Sequence, residues 1–157
     1  MNPSATLVVA DESHIVELLG WFQTNRDVVS WGGPMFRVPF TPESFAEDCR
    51  WRELDSFALI DDGRMVAFGQ YYLSYDAVRL ARLAVSPGHR RQGYGEILIR
   101  ELIGKGVKAL KVSRACLFVM RDNEPALTLY QKLGFEIADY PPDAEMGDDC
   151  YFMTRQL

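Results

Sequence analysis

From Val78 to Met120 the chain reads as a strand, a glycine-bearing polar loop, an amphipathic helix and a second, buried strand. No other stretch constrains the fold as strongly, because hydrophobic period and punctuation agree at every step. Val78 to Val85 is β-prone, and Ser86 to Tyr94 is polar. Glu96 to Leu110 places Leu98, Ile99, Leu102, Ile103, Val107 and Leu110 on one helical face. Gly104 and Gly106 cost that helix about 1 kcal/mol each, so tertiary packing must hold it. Ala115 to Met120 is a short continuous apolar run, the mark of a strand buried on both faces. Asn123 then caps a helix through Leu133, which Gly134 ends in a left-handed turn with Phe135 packing back.

The flanking segments extend this unit. Thr6 to Ala10 is β-prone, Asp11 is an N-cap, and Ile15, Leu18, Leu19 and Phe22 recur at helical spacing. Arg26 to Phe40, rich in Gly, Pro and aromatics, reads as an ordered loop. Thr41-Pro42-Glu43 starts a helix expected to reach about Leu54. Ser56 to Ile60 and Met65 to Leu73 flank Asp62-Gly63 as a hairpin, and a turn near Tyr75-Asp76 leads into the strand at Val78. Phe135 to Ala138 and Cys150 to Thr154 complete the strands. The order is β-α-α-β-β-β-α-β-α-β-β, an antiparallel meander flowing into a βαβ unit. An α+β sheet covered by helices on both faces is the economical arrangement.

Composition narrows the function classes. The 157 residues suit one domain, 1–157, and 48% hydrophobic with 25% charged residues supports a real core. No apolar run reaches membrane-spanning length, and Met1 to Ala10 lacks the form of a signal peptide. A net charge of −5 argues against nucleic acid as a partner. The three cysteines, Cys49, Cys116 and Cys150, have no metal-ligand spacing and read as reduced thiols, so a cytoplasmic setting without a metal is expected.

The chemistry concentrates in Val85-Ser86-Pro87-Gly88-His89-Arg90-Arg91-Gln92-Gly93-Tyr94-Gly95, between strand and helix. Backbone N–H groups at such a junction lack helical partners and point along the positive end of the helix dipole. Gly93 and Gly95 let the backbone curl around a ligand, and Arg90 and Arg91 add positive charge, which together describe a pyrophosphate cradle. The spacing is neither the dinucleotide fingerprint, since Glu96 to Leu98 hold no third glycine, nor a P-loop, since no Gly-Lys-Ser/Thr follows. A glycine-containing loop with two solvated arginines is the plainer alternative. The second informative segment runs from Asn123 to Phe135, where Asn123 doubles as a helix cap and Tyr130 shares a face with Ala126 and Leu133.

Together the two segments resemble the GNAT superfamily of acyl-CoA-dependent N-acyltransferases. Arg90, Gly93 and Gly95 match its pyrophosphate motif, Arg/Gln-x-x-Gly-x-Gly/Ala. Asn123, Ala126, Leu129, Tyr130, Lys132, Gly134 and Phe135 match its second motif, and Leu83 to Pro87 fit its fourth strand. The resemblance implies a mostly antiparallel twisted sheet of about seven strands, with splayed fourth and fifth strands, flanked by about four helices. It further implies acetyl-CoA as co-substrate, its pantetheine arm lying in the splay against the backbone of Leu83, Ala84 and Val85. Its pyrophosphate would be held by Arg90, Arg91, Gln92, Gly93, Tyr94, Gly95 and Glu96. Asn123 would contact the arm, and Tyr130 would donate a proton to the departing thiolate. The implied acceptor is an amine of a small molecule, amino acid or peptide, attacking directly in a ternary complex. A protein N-terminal or lysine acetyltransferase and a non-catalytic acyl-CoA-binding module are the alternatives.

The acceptor side is less specified. Many family members place a Glu on the fourth strand as general base, but this strand carries Arg79 and Arg82 instead. A water chain ending near Asp122 or His89 is the substitute. Trp31, Tyr71 and Arg82 are the acceptor-pocket candidates, with Phe36 and Tyr72 beside them. The arginines suit an anionic acceptor, or form a solvated strand face. The acidic loop of Asp143, Glu145, Asp148 and Asp149 suits a cationic one. A homodimer is common for the fold, and no sequence feature decides it here.

Overall fold

The computed structural model describes residues 4–144, 146 and 148–157. Seven strands form one sheet: β1 (Thr6–Val9), β2 (Asp55–Asp61), β3 (Arg64–Ser74), β4 (Ala77–Val85), β5 (Arg114–Met120), β6 (Glu136–Ala138) and β7 (Cys150–Gln156), in the order β1-β2-β3-β4-β5-β7-β6. Every neighbouring pair is antiparallel except β4 and β5. Those two pair in parallel only at Val78 with Ala115 and at Arg79 with Cys116. Beyond that point they run on to Val85 and Met120 without further pairing, which is the expected splay.

The helices are α1 (Glu12–Leu19), α2 (Asn25–Gly32), α3 (Pro42–Cys49), α4 (Tyr94–Leu110) and α5 (Glu124–Lys132). They number five rather than about four, because α2 occupies the start of the stretch expected to be a loop. Thr24 caps it by accepting from the Asp27 N–H at 3.1 Å, and Val28 is fully buried beneath it. The helix after Thr41 stops at Cys49 rather than near Leu54, since Arg50 takes a left-handed conformation at φ 55° and closes it. Asp11 and Thr41 cap α1 and α3 as their sequence positions predict. Among the described residues, no helix is long and apolar enough to cross a membrane.

The sheet has two covered faces. Helix α4 packs Leu98, Ile99 and Leu102 against Val66, Val78, Leu80 and Leu117 on one. Helices α1 to α3 cover the other with Leu18, Val28, Phe45 and Cys49, over Ala58 and Phe68. A smaller cluster of Cys116, Phe152, Tyr75, Phe118 and Tyr140 lies over β5 and β7.

One irregularity sets the site. Phe68 pairs with Ala84 and Gln70 with Ala81, so β4 carries one more residue than β3 over that span. The extra residue forms a bulge at Arg82, whose φ is 52°. A regular strand would turn residues 79 and 82 to opposite faces. Here Arg82 bonds Gln70 and Arg79 lies over Tyr72, and residues 70 and 72 share one face of β3. The bulge therefore brings both arginines onto the same face, the one that α1 to α3 partly cover.

Candidate functional site

The gap between β4 and β5 opens beside the start of α4. Leu83, Ala84 and Val85 have no strand partner on the β5 side, so their backbone edge toward the gap is available. The loop that follows turns through left-handed conformations at Arg91 (φ 64°) and Gly93 (φ 86°). Gly93 is the N-cap of α4 and offers no side chain, so the N–H groups of Tyr94, Gly95 and Glu96 have neither a capping side chain nor an intrahelical acceptor. Gly95 lies so close to its surroundings that an added Cβ would stand 3.2 Å from Leu129 Cδ2 and 3.7 Å from Val85 Cγ2. The helix start is thereby seated against α5 and the end of β4.

Charge around this helix start is arranged for an anion. Arg90, Arg91 and Gln92 are exposed, and Arg90 Nε reaches the Val85 carbonyl at 3.4 Å. Neither arginine has a carboxylate partner among the described residues. Glu96 would oppose an anion, but Lys132 Nζ stands 2.9 Å and Arg100 Nε 3.2 Å from its carboxylate. Those hydrogen bonds, Lys132 first, hold the Glu96 carboxyl below its usual range. The Lys132 pair also ties α5 to α4 across the gap. Tyr94 contributes only its backbone there, because its side chain is buried and its hydroxyl donates to Asp61 on β2.

On the far side of the gap, Tyr130 is half-buried, with its ring edge-on to Phe135 at 6.1 Å. Dense surroundings desolvate its hydroxyl and push the pKa up to about 12. That hydroxyl makes no hydrogen bond among the described residues, which leaves its proton free to donate. Asn123 is exposed and caps α5, its Oδ1 accepting from the Ala126 N–H at 3.3 Å.

The acceptor candidates divide between the two faces. Arg82 donates from Nη1 to Gln70 Oε1 at 3.0 Å, and its guanidinium lies 5.6 Å from the centre of the Phe36 ring. Gln70 is fully buried and in turn donates to the Cys49 carbonyl and to Ser56 Oγ, each at 2.9 Å. The Trp31 ring stacks on Phe45 at 5.8 Å and lies 5.7 Å from Phe36. Trp31 and Arg82 therefore meet around Phe36. Tyr71 does not join them: it stacks on Phe57 at 5.7 Å on the α4 face, and its neighbour Tyr72 is the tyrosine that faces Arg79. Nor are the arginines a solvated strand face, since Arg82 is largely withdrawn from water and Arg79 is ringed by Tyr72, Tyr75 and Phe118.

The remaining candidates take no part in this contact around Phe36. His89, within the loop before α4, packs edge-on to Tyr94 at 6.1 Å, and Asp122 is exposed. In the acidic loop, Asp143 is near enough to bear on Tyr75, while Glu145 lies outside the described residues. A hollow of about 410 Å³ lined by Val9, Trp51, Arg52 and Asp55 lies beside β1 and β2 and shares no lining residue with the gap. Gln70, buried and bonded to the candidate Arg82, is the residue that sequence reasoning missed. Its signal was a single amide in the apolar run Met65 to Leu73, which must find partners when buried.

Proteins similar to this chain include acetyltransferases. The family model described as the acetyltransferase (GNAT) family matches residues 25–135. A relative from Escherichia coli K12, named ribosomal protein bS18-alanine N-acetyltransferase, is 32% identical over 123 residues, covering 76% of this chain and 82% of that protein. The solved structure of the ribosomal-protein-S18-alanine N-acetyltransferase from Escherichia coli superposes with a TM-score of 0.68 at 25% identity, over 97% of this chain and 93% of that one. Spermidine N-acetyltransferase from Vibrio cholerae, solved with CoA and spermine, shares the fold with a TM-score of 0.76 at 16% identity, over 99% and 96% of the two chains. With the splayed strands, the uncapped glycine turn and these likenesses together, the chain belongs to the acetyltransferase (GNAT) family.

Proposed function

We propose that residues 1–157 act as one acetyltransferase domain that binds acetyl-CoA in the β4–β5 gap and transfers its acetyl group to a primary amine. One observation carries this reading: the strands part beside a helix start whose first N–H groups are free and whose loop carries two arginines with no carboxylate partner among the described residues. An extended arm bearing amides fits a strand edge as an added strand would. Pyrophosphate fits the N–H groups of Tyr94, Gly95 and Glu96, with charge from Arg90 and Arg91.

The residues then have distinct tasks. The bulge at Arg82 redirects the backbone there, and the N–H of Leu83 or Ala84 steadies the oxygen of the thioester carbonyl as it gains charge. The amine nitrogen, deprotonated to solvent, bonds to the carbonyl carbon. The carbon–sulfur bond breaks and Tyr130 gives its proton to the sulfur, while the proton that the nitrogen loses on becoming an amide goes to solvent, from which the Tyr130 oxygen is reprotonated. None of the three cysteines takes part, and burial pushes the thiols of Cys49 and Cys116 up to about 12 and about 11. Reduced, buried thiols suit a cytoplasmic setting.

The acceptor classes are small-molecule amines, amino acids and peptide N-termini. The bS18-alanine N-acetyltransferase relative favours a peptide amine as the second reading. A thiol-release assay with acetyl-CoA and a panel of amino acids, peptides with N-terminal alanine, and spermidine tests the transfer. Acetylation of at least one amine, dependent on Tyr130, is expected. Binding of acetyl-CoA with no transfer to any of them would point to the non-catalytic module.

A further inference from the structure

We infer that the acceptor amine carries a carboxylate, recognised by Arg82 on the face of the sheet covered by α1 to α3. The inference deepens the acetyltransferase reading and rests on it. Arg82 is withdrawn from water, yet no carboxylate pairs with it among the described residues. Among the described residues its only hydrogen bond is to a neutral amide, Gln70 Oε1, and its buried Nε has no partner. Buried guanidinium groups are normally paired, and their planar fork of donors matches a carboxylate. Asp48 is near enough to feel the charge of Arg82, but its hydrogen bonds go to Arg37, from N at 2.9 Å and from Nε at 3.1 Å. The Cys49 thiol, pushed up by burial, is neutral and supplies no charge.

Two further observations point to the same ligand. The Nε1 of Trp31 is a second buried donor without a partner among the described residues, and Trp31, like Arg82, stands against the Phe36 ring. Arg79 adds a second positive charge on the same face, close enough to Arg82 to disfavour its charged form. Two like charges held together with two unsatisfied donors form a site completed by an anion. Its position fixes the geometry of the acceptor. Arg82 immediately precedes Leu83 to Val85, the edge against which the proposed thioester would lie, so a carboxylate held by Arg82 belongs to a small acceptor whose amine reaches that edge. An amino acid meets that description, and spermidine, a polycation, does not. Gln70 acts here as a positioning residue, since it fixes the Arg82 fork through Nη1 and anchors it to the end of α3.

The test compares matched acceptors. Initial rates of thiol release from acetyl-CoA are measured with each of a set of α-amino acids, with the α-amide of the same amino acid, and with spermidine. At least one amino acid is expected to exceed its amide in kcat/KM by about tenfold or more, the value of one charge-assisted contact. In Arg82→Ala that ratio falls toward one through a raised KM for the acid, with KM for acetyl-CoA within about twofold of the parent. Arg82→Lys gives an intermediate ratio, and it carries the test if the alanine variant does not fold. Preference for amides or spermidine, or a ratio unchanged in both variants, overturns the inference. Calorimetric binding of acetyl-CoA with no turnover of any carboxylate acceptor overturns it too, while leaving the donor site standing. Absence of acetyl-CoA binding instead removes the acetyltransferase reading, and this inference with it.

Discussion

Replacing Tyr130 by Phe isolates the proposed proton donor. With its pKa pushed up to about 12 by desolvation, the hydroxyl keeps its proton throughout any practical assay. At pH 8 only about one copy in ten thousand is ionised. Tyr130 can therefore serve as an acid and not as a base. Positioned acids contribute about 10²- to 10⁴-fold. A thiolate, with a parent thiol pKa of about 8.5, already leaves readily, so the lower end applies. The expected loss in kcat is about a hundredfold, or close to 3 kcal/mol of transition-state stabilisation. The ring contact with Phe135 at 6.1 Å survives the change, and no hydrogen bond among the described residues is broken. The Kd for acetyl-CoA should stay within about threefold and the Tm within a few degrees. Steady-state kinetics by thiol release, with calorimetry and thermal melts on the same preparations, read all three quantities. A fall in kcat below about threefold would sink the assignment. So would an equal loss of acetyl-CoA affinity, because it would make Tyr130 a binding residue.

Two other perturbations follow from the electrostatics. Cys49 rises from 9.0 to about 12 on burial, so its contribution to stability is fully present below pH 9 and is lost as pH rises toward 12. The shift corresponds to about 4 kcal/mol, so thermal melts of the parent should fall steeply above pH 9. Cys49→Ala should show a shallower decline, and identical slopes would contradict the assignment. Lys132→Ala releases one of the two cations that neutralise Glu96 beside the phosphate loop. Because the Lys132 side chain is largely exposed and Arg100 still neutralises Glu96, affinity for acetyl-CoA should drop by less than about fivefold, with little change in Tm. An unchanged Kd at low salt would show that the Glu96 charge does not reach the bound phosphates.

Much of the proposed donor side was legible because local signals carry it. The glycines at 93 and 95, the arginines before them and the helix period from Glu96 specify an uncapped helix start whatever surrounds it. The splay was readable only through the resemblance, since nothing in Val78 to Val85 says where pairing with Ala115 ends. Helix α2 escaped detection because Gly32, Gly33 and Pro34 dominate its neighbourhood, while its stability comes from Val28 and Trp31 packing into the cluster around Phe45. The face of Arg82 was equally hidden. Alternation along β4 separates residues 79 and 82, and a bulge at Arg82 that no local residue type announces reunites them. Strand alternation does put Tyr71 and Tyr72 on opposite faces, but only the packing of α4 over Phe57 and Tyr71 identifies which face the acceptor layer leaves to Tyr72. Asn123 shows one side chain satisfying two descriptions, since the family motif and the helix cap call for the same residue.

Calorimetric titration of the purified protein with acetyl-CoA, run beside a Gly93→Asp variant, tests the central claim most directly. Aspartate there would set a carboxylate among the free N–H groups of α4 and require an L-residue at φ 86°. The parent should bind one acetyl-CoA with micromolar affinity, and the variant, confirmed folded by circular dichroism, should show no binding at the same concentrations. Failure of the parent to bind, or equal binding by the folded variant, would contradict the placement of the donor in the β4–β5 gap.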